Sequence, residues 1–357
     1  MSKIERTQYI NAVLCLQKKP SISGNLVPGA RSRYDDFVGT VCNNLPPAPD
    51  LQLTLLQHIS QTLSIHGTGN FLSWHRYFTW IYEQALRNEC GYTGHQPYLN
   101  WAKIASDPVG APIFDGTSTS MSNNGAYYNH SAISIPSAAT PFIILPPGIG
   151  GGCVTKGPFA NMTVRLGPVA PAVDYITPNP SPNGLGLNPR CLRRDISTIA
   201  TSTSTTDRNV TDLINQNDNV LDFQNTMQGN FPAGLLGVHT AGHMIVSLQM
   251  AINCSIAGPL TPLLQAAGDP GGDLFTSPGD PYFFLHHAQI DRVWWMWQNQ
   301  DLAHRLYQLG GTLTLYNSPP SRNTSLSDLI DLGVNAPGIP INDMMSTLNG
   351  PLCYIYI

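Results

Sequence analysis

Charge is scarce in this sequence. Lys and Arg number 18 and Asp and Glu 22 among 357 residues, or 11%, where soluble chains carry about 25%. With a net charge of −4 and no basic run longer than Lys18-Lys19 or Arg193-Arg194, a nucleic-acid partner is excluded. No apolar run reaches the roughly 20 residues that cross a bilayer, so no membrane partner is expected. No CxxC pair occurs, which excludes zinc ribbons and thioredoxin-type motifs. Met1-Ser2-Lys3-Ile4-Glu5 lacks the apolar segment of a signal peptide. The 42% hydrophobic content excludes long intrinsic disorder, which goes with low hydrophobicity and high net charge.

What is present is a loop-rich globule, with 32 Gly and 30 Pro. Seven Cys stand far apart, at 15, 42, 90, 153, 191, 254 and 353. Five Asn-x-Ser/Thr sequons occur, at Asn129, Asn161, Asn209, Asn253 and Asn323. Few Lys, dispersed Cys and sequons together favour a secreted, disulfide-bonded chain in its mature form over a cytoplasmic one. Cys15–Cys90 and Cys153–Cys191 are the expected pairs, from the proximity of their helices or loop ends. The odd count leaves at least one thiol over.

The chain reads as a single domain over 1–357. Residues 1–110 and 236–308 hold helical patterns and most histidines. Residues 111–235 are an ordered excursion rich in Gly, Pro, Ser, Thr and Asn, pinned by Cys153 and Cys191. Residues 309–357 form a closing tail. Four helices are predicted, over about 50–63, 71–89, 235–251 and 281–299. Asp50 is placed as the cap of the first, Gly91 as the stop of the second, and Asp280 with Pro281 as the start of the fourth. The expected fold is mainly α: a four-helix bundle with long irregular loops and few short strands.

Each helix carries histidine on its apolar face: His58, His75, then His239 with His243, then His287. One such residue is commonly a hydrogen-bonded core side chain. Four helices sharing the habit ask for a common partner, because an unpartnered buried imidazole costs about 1–3 kcal/mol. Metal supplies that partner. His239 and His243 are i and i+4 on one face, and His287 completes a three-histidine set. His58, His75 and the loop residue His66 make a second set. Carboxylate is missing here too: the ligand segments hold only Asp291, and His239-Thr-Ala-Gly-His243 lacks the Glu of zinc proteases. All-nitrogen ligation of two ions in a bundle suits copper and O2.

These residues resemble a known family. His66-Gly-Thr-Gly-Asn-Phe-Leu-Ser-Trp-His75-Arg76, followed by Glu83, is similar to the first copper motif of the tyrosinase and catechol oxidase family. His239-x3-His243 and Asp280-Pro-Tyr-Phe-Phe-Leu-His286-His287-x3-Asp291-Arg292-x-Trp294 are similar to the second. Tyr354-Ile355-Tyr356 resembles the Tyr-x-Tyr closure of the family core, with Arg31 or Arg33 as its anchor. The likeness is greatest to the short secreted fungal branch. It implies a type-3 centre of two copper ions, with His58, His66 and His75 on one and His239, His243 and His287 on the other. His286 would be a packed neighbour. Asp291 would orient a ligand imidazole or salt-bridge Arg292. Leu274 would be the substrate gate, with Thr240 and Met244 lining the entrance.

Several positions depart from the family pattern. Ser64 replaces the cysteine that many members link to a histidine. Thr240 stands where strong monophenol hydroxylases often have Asn, and Asn230 and Leu235 where a water-holding Glu is often found. Since the sequence stops just after Tyr356, the expected form is one without the family's C-terminal shielding domain. The resemblance therefore implies oxidation of small phenolic substrates, o-diphenols to o-quinones, with O2 as co-substrate reduced to water and weak or partial monophenol hydroxylation. A full tyrosinase with the same site and a haemocyanin-like oxygen carrier are the alternatives.

Overall fold

The computed structural model describes residues 1–39, 57–136, 141–168, 176–246 and 270–357. Among these residues there are ten α-helices. The first four are α1 (Lys3–Leu16), α2 (Arg33–Val38), α3 (Gln57–Ile65) and α4 (Phe71–Cys90). Then come α5 (Thr198–Ser204), α6 (Asp207–Asn215), α7 (Val220–Gln228), α8 (Val238–His243), α9 (Tyr282–Asn299) and α10 (Leu302–Arg305). Strands are short and pair only as antiparallel ribbons. β1 (Gly125–Tyr127) pairs with β4 (Gly151–Val154), and β2 (Ile133–Pro136) with β3 (Pro141–Leu145). β5 (Thr163–Val164) pairs with β6 (Arg190–Cys191), and β7 (Leu329–Ile330) with β8 (Ile339–Pro340). The mainly α expectation holds, and no described helix is long and apolar enough to cross a membrane.

α4 and α9 form the spine of the core. Their apolar faces interlock through aromatic pairs, with Phe78 5.9 Å from Phe283 and the Tyr82 ring stacked on Phe284 at 3.4 Å. Such pairs add about 0.5–1.5 kcal/mol each beyond the area they bury. α4 stops where the sequence says it should: Gly91 adopts φ 66° and its N–H reaches the Arg87 carbonyl, a left-handed cap that costs glycine little. α9 begins one residue later than expected. Pro281 occupies the capping position, and the Asp280 carboxylate accepts from the Tyr282 N–H at 2.9 Å. Buried Arg194 grips both oxygens of Asp280, at 2.7 and 2.8 Å.

Two predicted helices differ. The first is described only from Gln57, so Asp50, Leu51 and Leu55 lie outside the described residues. The side chains of 57–60, His58 among them, are also outside. The third is shorter than 235–251. Asn230 and Leu235 exchange backbone hydrogen bonds at 2.8 and 3.0 Å, and Gly237 sits at φ 72°. A helix cannot run through either feature, so α8 starts at Val238. Met250 and residues 247–269 are not described.

Both expected disulfides are present. Cys15–Cys90 fastens α1 to the end of α4, and Cys153–Cys191 ties β4 to β6. Cys353 is a free, exposed thiol; Cys42 and Cys254 lie outside the described residues. The excursion over 111–235 holds three helices that its composition hid. Ser197, Thr206 and Asn219 each cap one, accepting from the backbone N–H three residues on.

Candidate metal centre

Four elements converge on one buried cluster of imidazoles. The His66 loop and α4 bring His66 and His75 to a ring separation of 5.2 Å. α8 and α9 contribute His239, His243, His286 and His287, each with a ring nitrogen within 4.8 Å of the others. The two halves meet directly: His75 stacks on His287 at 4.5 Å, and His66 lies 5.7 Å from His239. No Asp, Glu or Cys joins this group among the described residues.

The backbone fixes the tautomers. Nδ1 of His66 lies 3.0 Å from the Thr62 carbonyl, Nδ1 of His75 2.7 Å from the Phe71 carbonyl, and Nδ1 of His243 3.2 Å from the Gly271 carbonyl. A carbonyl only accepts, so Nδ1 carries the proton and Nε2 presents its lone pair. Nε2 of His243 and Nε2 of His287 then stand 3.3 Å apart. A metal–imidazole bond is about 2.0–2.1 Å, so two ligands on one ion at about 105–110° are separated by roughly 3.3 Å. Both nitrogens of His239 and Nδ1 of His287 are buried without a hydrogen-bond partner among the described residues. The donor set, its spacing and its orphaned nitrogens fit a dinuclear copper centre.

Burial keeps these groups neutral. It pushes His66 down to about 4, partly offset by the Thr62 carbonyl. It pushes His243 down to about 3, helped by the neighbouring His66. His239, His286 and His287 are held well below the usual imidazole range by burial first and by neighbouring imidazoles second, His243 for the first two and His75 for His287. Aromatic rings wall the cluster: Phe71 is 5.0 Å from both His75 and His239, Phe283 is 4.0 Å from His287, and Trp101 is 5.4 Å from His286.

Several expected roles change. His286 packs tightly into the cluster: its ring stands 4.5 Å from His243, and a Cβ on Gly242 would collide with it. Only glycine at 242 lets the two helices approach so closely. Asp291 does not turn to an imidazole, nor to Arg292, whose guanidinium lies over Tyr98. Its carboxylate takes Arg76 Nε on one oxygen and the hydroxyls of Tyr354 and Tyr356 on the other, all at 2.5 Å. The tail is thus anchored by Asp291 and not by Arg31 or Arg33. Arg31 binds the Pro28 and Ala30 carbonyls, and Arg33 binds Glu89 and Asn335. Arg76 also lies 3.7 Å over the Trp294 ring. It follows His75 directly, and Asp291 is one turn beyond His287, so this network sits behind both halves of the cluster.

Among the expected pocket residues, Leu274 is half-buried and its carbonyl accepts from Thr62 Oγ1 at 3.2 Å. Thr240 is buried, its hydroxyl donating to the Gln228 carbonyl at 2.6 Å. Met244 is fully buried and packs with Ile135, Leu236 and Ala241; it is core, not entrance. Of the remaining histidines, His95 and His304 are exposed, as expected. His130 instead has a buried side chain, 2.9 Å from Asp195.

Comparison with known proteins follows the same lines. The family described as tyrosinase, common central domain of tyrosinase, matches residues 31–300. The chain is 41% identical over 325 residues to tyrosinase-like protein orsC of Emericella nidulans, covering 87% of this chain and 75% of that one. It is 34% identical to tyrosinase P of Aspergillus terreus, over 100% of this chain and 89% of that one. Among solved structures, a variant of polyphenol oxidase from Thermothelomyces thermophila superposes with a TM-score of 0.82 at 42% identity, covering 100% of this chain and 86% of that one.

Proposed function

The chain belongs to the tyrosinase family, and from that premise we propose that it is an o-diphenol oxidase in which monophenol hydroxylation is weak or partial. Membership makes it an oxidoreductase of the polyphenol oxidase type with a type-3 dicopper centre acting on small phenols. In our reading His58, His66 and His75 hold one copper and His239, His243 and His287 the other. His286 packs against them, and residues 1–357 act as one catalytic domain. Copper, when bound, supplies the electron exchange by which two o-diphenols become o-quinones while one O2 becomes water.

The protein's own part is positional. The Thr62, Phe71 and Gly271 carbonyls aim three imidazoles inward, and Phe71, Phe283 and Trp101 exclude water from them. Leu274 and Thr240 stand on the approach. The preference for diphenols is carried by one observation: the Thr240 hydroxyl is committed to the Gln228 carbonyl. No carboxylate joins the described cluster to take a monophenol proton. The two disulfides support a secreted chain.

Copper content and rates on catechol and tyrosine, measured on one sample, test this. The expected result is two coppers per chain and faster turnover of catechol. Equal or faster turnover of tyrosine overturns the diphenol preference, and full activity with fewer than two coppers overturns the assignment of the site.

A further inference from the structure

Two glutamines on the last turns of α7 lie against the histidine cluster, and neither belongs to it. Gln228 is 5% exposed and Gln224 1%. Gln228 Oε1 accepts from the Gly67 N–H at 2.8 Å; that N–H belongs to the peptide bond leaving His66. The Gln228 backbone carbonyl accepts from Thr240 Oγ1 at 2.6 Å, and Thr240 directly follows His239. One residue therefore grips the chain one step past a histidine in each half. Its Nε2 donates to the Gln224 carbonyl at 3.0 Å. Gln224 Nε2 spends its hydrogens on the Thr68 carbonyl at 3.2 Å and the Gly310 carbonyl at 2.8 Å.

We infer that Gln228, braced by Gln224, is a positioning residue that sets the separation of the two copper half-sites. The inference rests on the reading that these histidines hold copper. His66 needs such a brace because it stands on a loop, beside Gly67 at φ 58°, whereas His75 and His287 sit within long helices. An amide suits the position: it offers an acceptor to an N–H and donors to carbonyls with no charge near the metal. The partners also fix its orientation, since a flipped amide would set donor against donor.

The experiment compares wild type with Gln228→Met, Gln228→Glu and Thr240→Val. Copper per chain, the EPR signal of the copper(II) protein, kcat and KM for catechol, and melting temperature are read for each. Wild type should hold two coppers with little EPR signal, because paired copper(II) ions couple. Gln228→Met should show an uncoupled copper(II) signal and lose at least about tenfold in kcat with KM within about twofold, since small misplacements of reacting groups are costly. Gln228→Glu keeps the acceptor for Gly67 but loses the donor to Gln224 and adds a charge, so it should lose less kcat than Gln228→Met without recovering the wild-type value. Thr240→Val removes one bond from the other half and should give the same signature, at about threefold. If Gln228→Met fails to fold, the copper count and EPR signal of Gln228→Glu decide instead. Two EPR-silent coppers and unchanged kcat in the folded variant, with only a lower melting temperature, overturn the positioning role. Fewer than two coppers in wild type would instead overturn the copper reading beneath it.

Discussion

The two halves of the histidine cluster are built differently. In the first, His66 and His75 each rest Nδ1 on a carbonyl four residues earlier in the chain, so their aim is set by local backbone. In the second, of the three residues read as ligands, His243 alone has such a support among the described residues, and it comes from the distant Gly271. His239 has no hydrogen-bond partner for either nitrogen among the described residues, and His287 none for Nδ1. The first half is preorganised by the chain itself. The second is held by crowding, with Gly242 letting α9 press close, and depends on metal to satisfy its nitrogens.

Paired alanine variants would break that comparison most sharply. His66→Ala and His239→Ala should each lower catechol kcat/KM by about two orders of magnitude or more, beyond the 10–100-fold typical of outer-shell losses. Without copper they should part: His66→Ala destabilises, while His239→Ala, which deletes an unpartnered imidazole, costs less. Equal shifts in the melting temperature of the copper-free variants would refute the asymmetry. Removing copper from wild type comes next. A ligand present at a thousandfold its Kd stabilises by about 4 kcal/mol, and hydrogen exchange should locate the loss in α8 before α4.

Met244→Ala should cost about 2–5 kcal/mol of stability, as large-to-small core changes do, with KM for catechol unchanged; a shifted KM would return Met244 to the pocket. The smallest effect near neutrality is that of pH. His66 at about 4 and His243 at about 3 lie below the unfolded value of about 6.5. Between those limits the unfolded chain binds more protons, so stability is complete above pH 6.5 and falls as pH drops through the window. The same depression delays proton competition for the metal. Copper should be retained as pH falls through about 6.5 and released only in more acid solution; titration of bound copper against pH checks this, and loss centred at pH 6.5 would contradict it.

Much of this is legible in the amino-acid sequence. α4 and α9 announce themselves by long apolar stripes and clear stops, and five of the clustered histidines, His66, His75, His239, His243 and His287, stand in recognisable spacing. Local signals failed where distant contacts decide. Nothing near Asp291 reveals that its partners are Arg76, Tyr354 and Tyr356. Met244 lies beside a histidine in sequence, yet the β2–β3 ribbon covers it. The shortness of α8 was readable in Gly234 and Gly237, whose positive φ values end any helix pattern. The helices α5 to α7 hid because their caps are the Ser, Thr and Asn that also mark loops.

The bonding of Asp291 has a consequence in time. The ribosome makes Tyr354 63 residues after Asp291. Until that segment emerges, the nascent α9 carries a carboxylate with Arg76 as its partner and two hydrogen bonds still to come. Completion of the support behind His75 and His287 therefore waits for the segment that carries both tyrosines, and copper delivered earlier meets a cluster whose backing is unfinished.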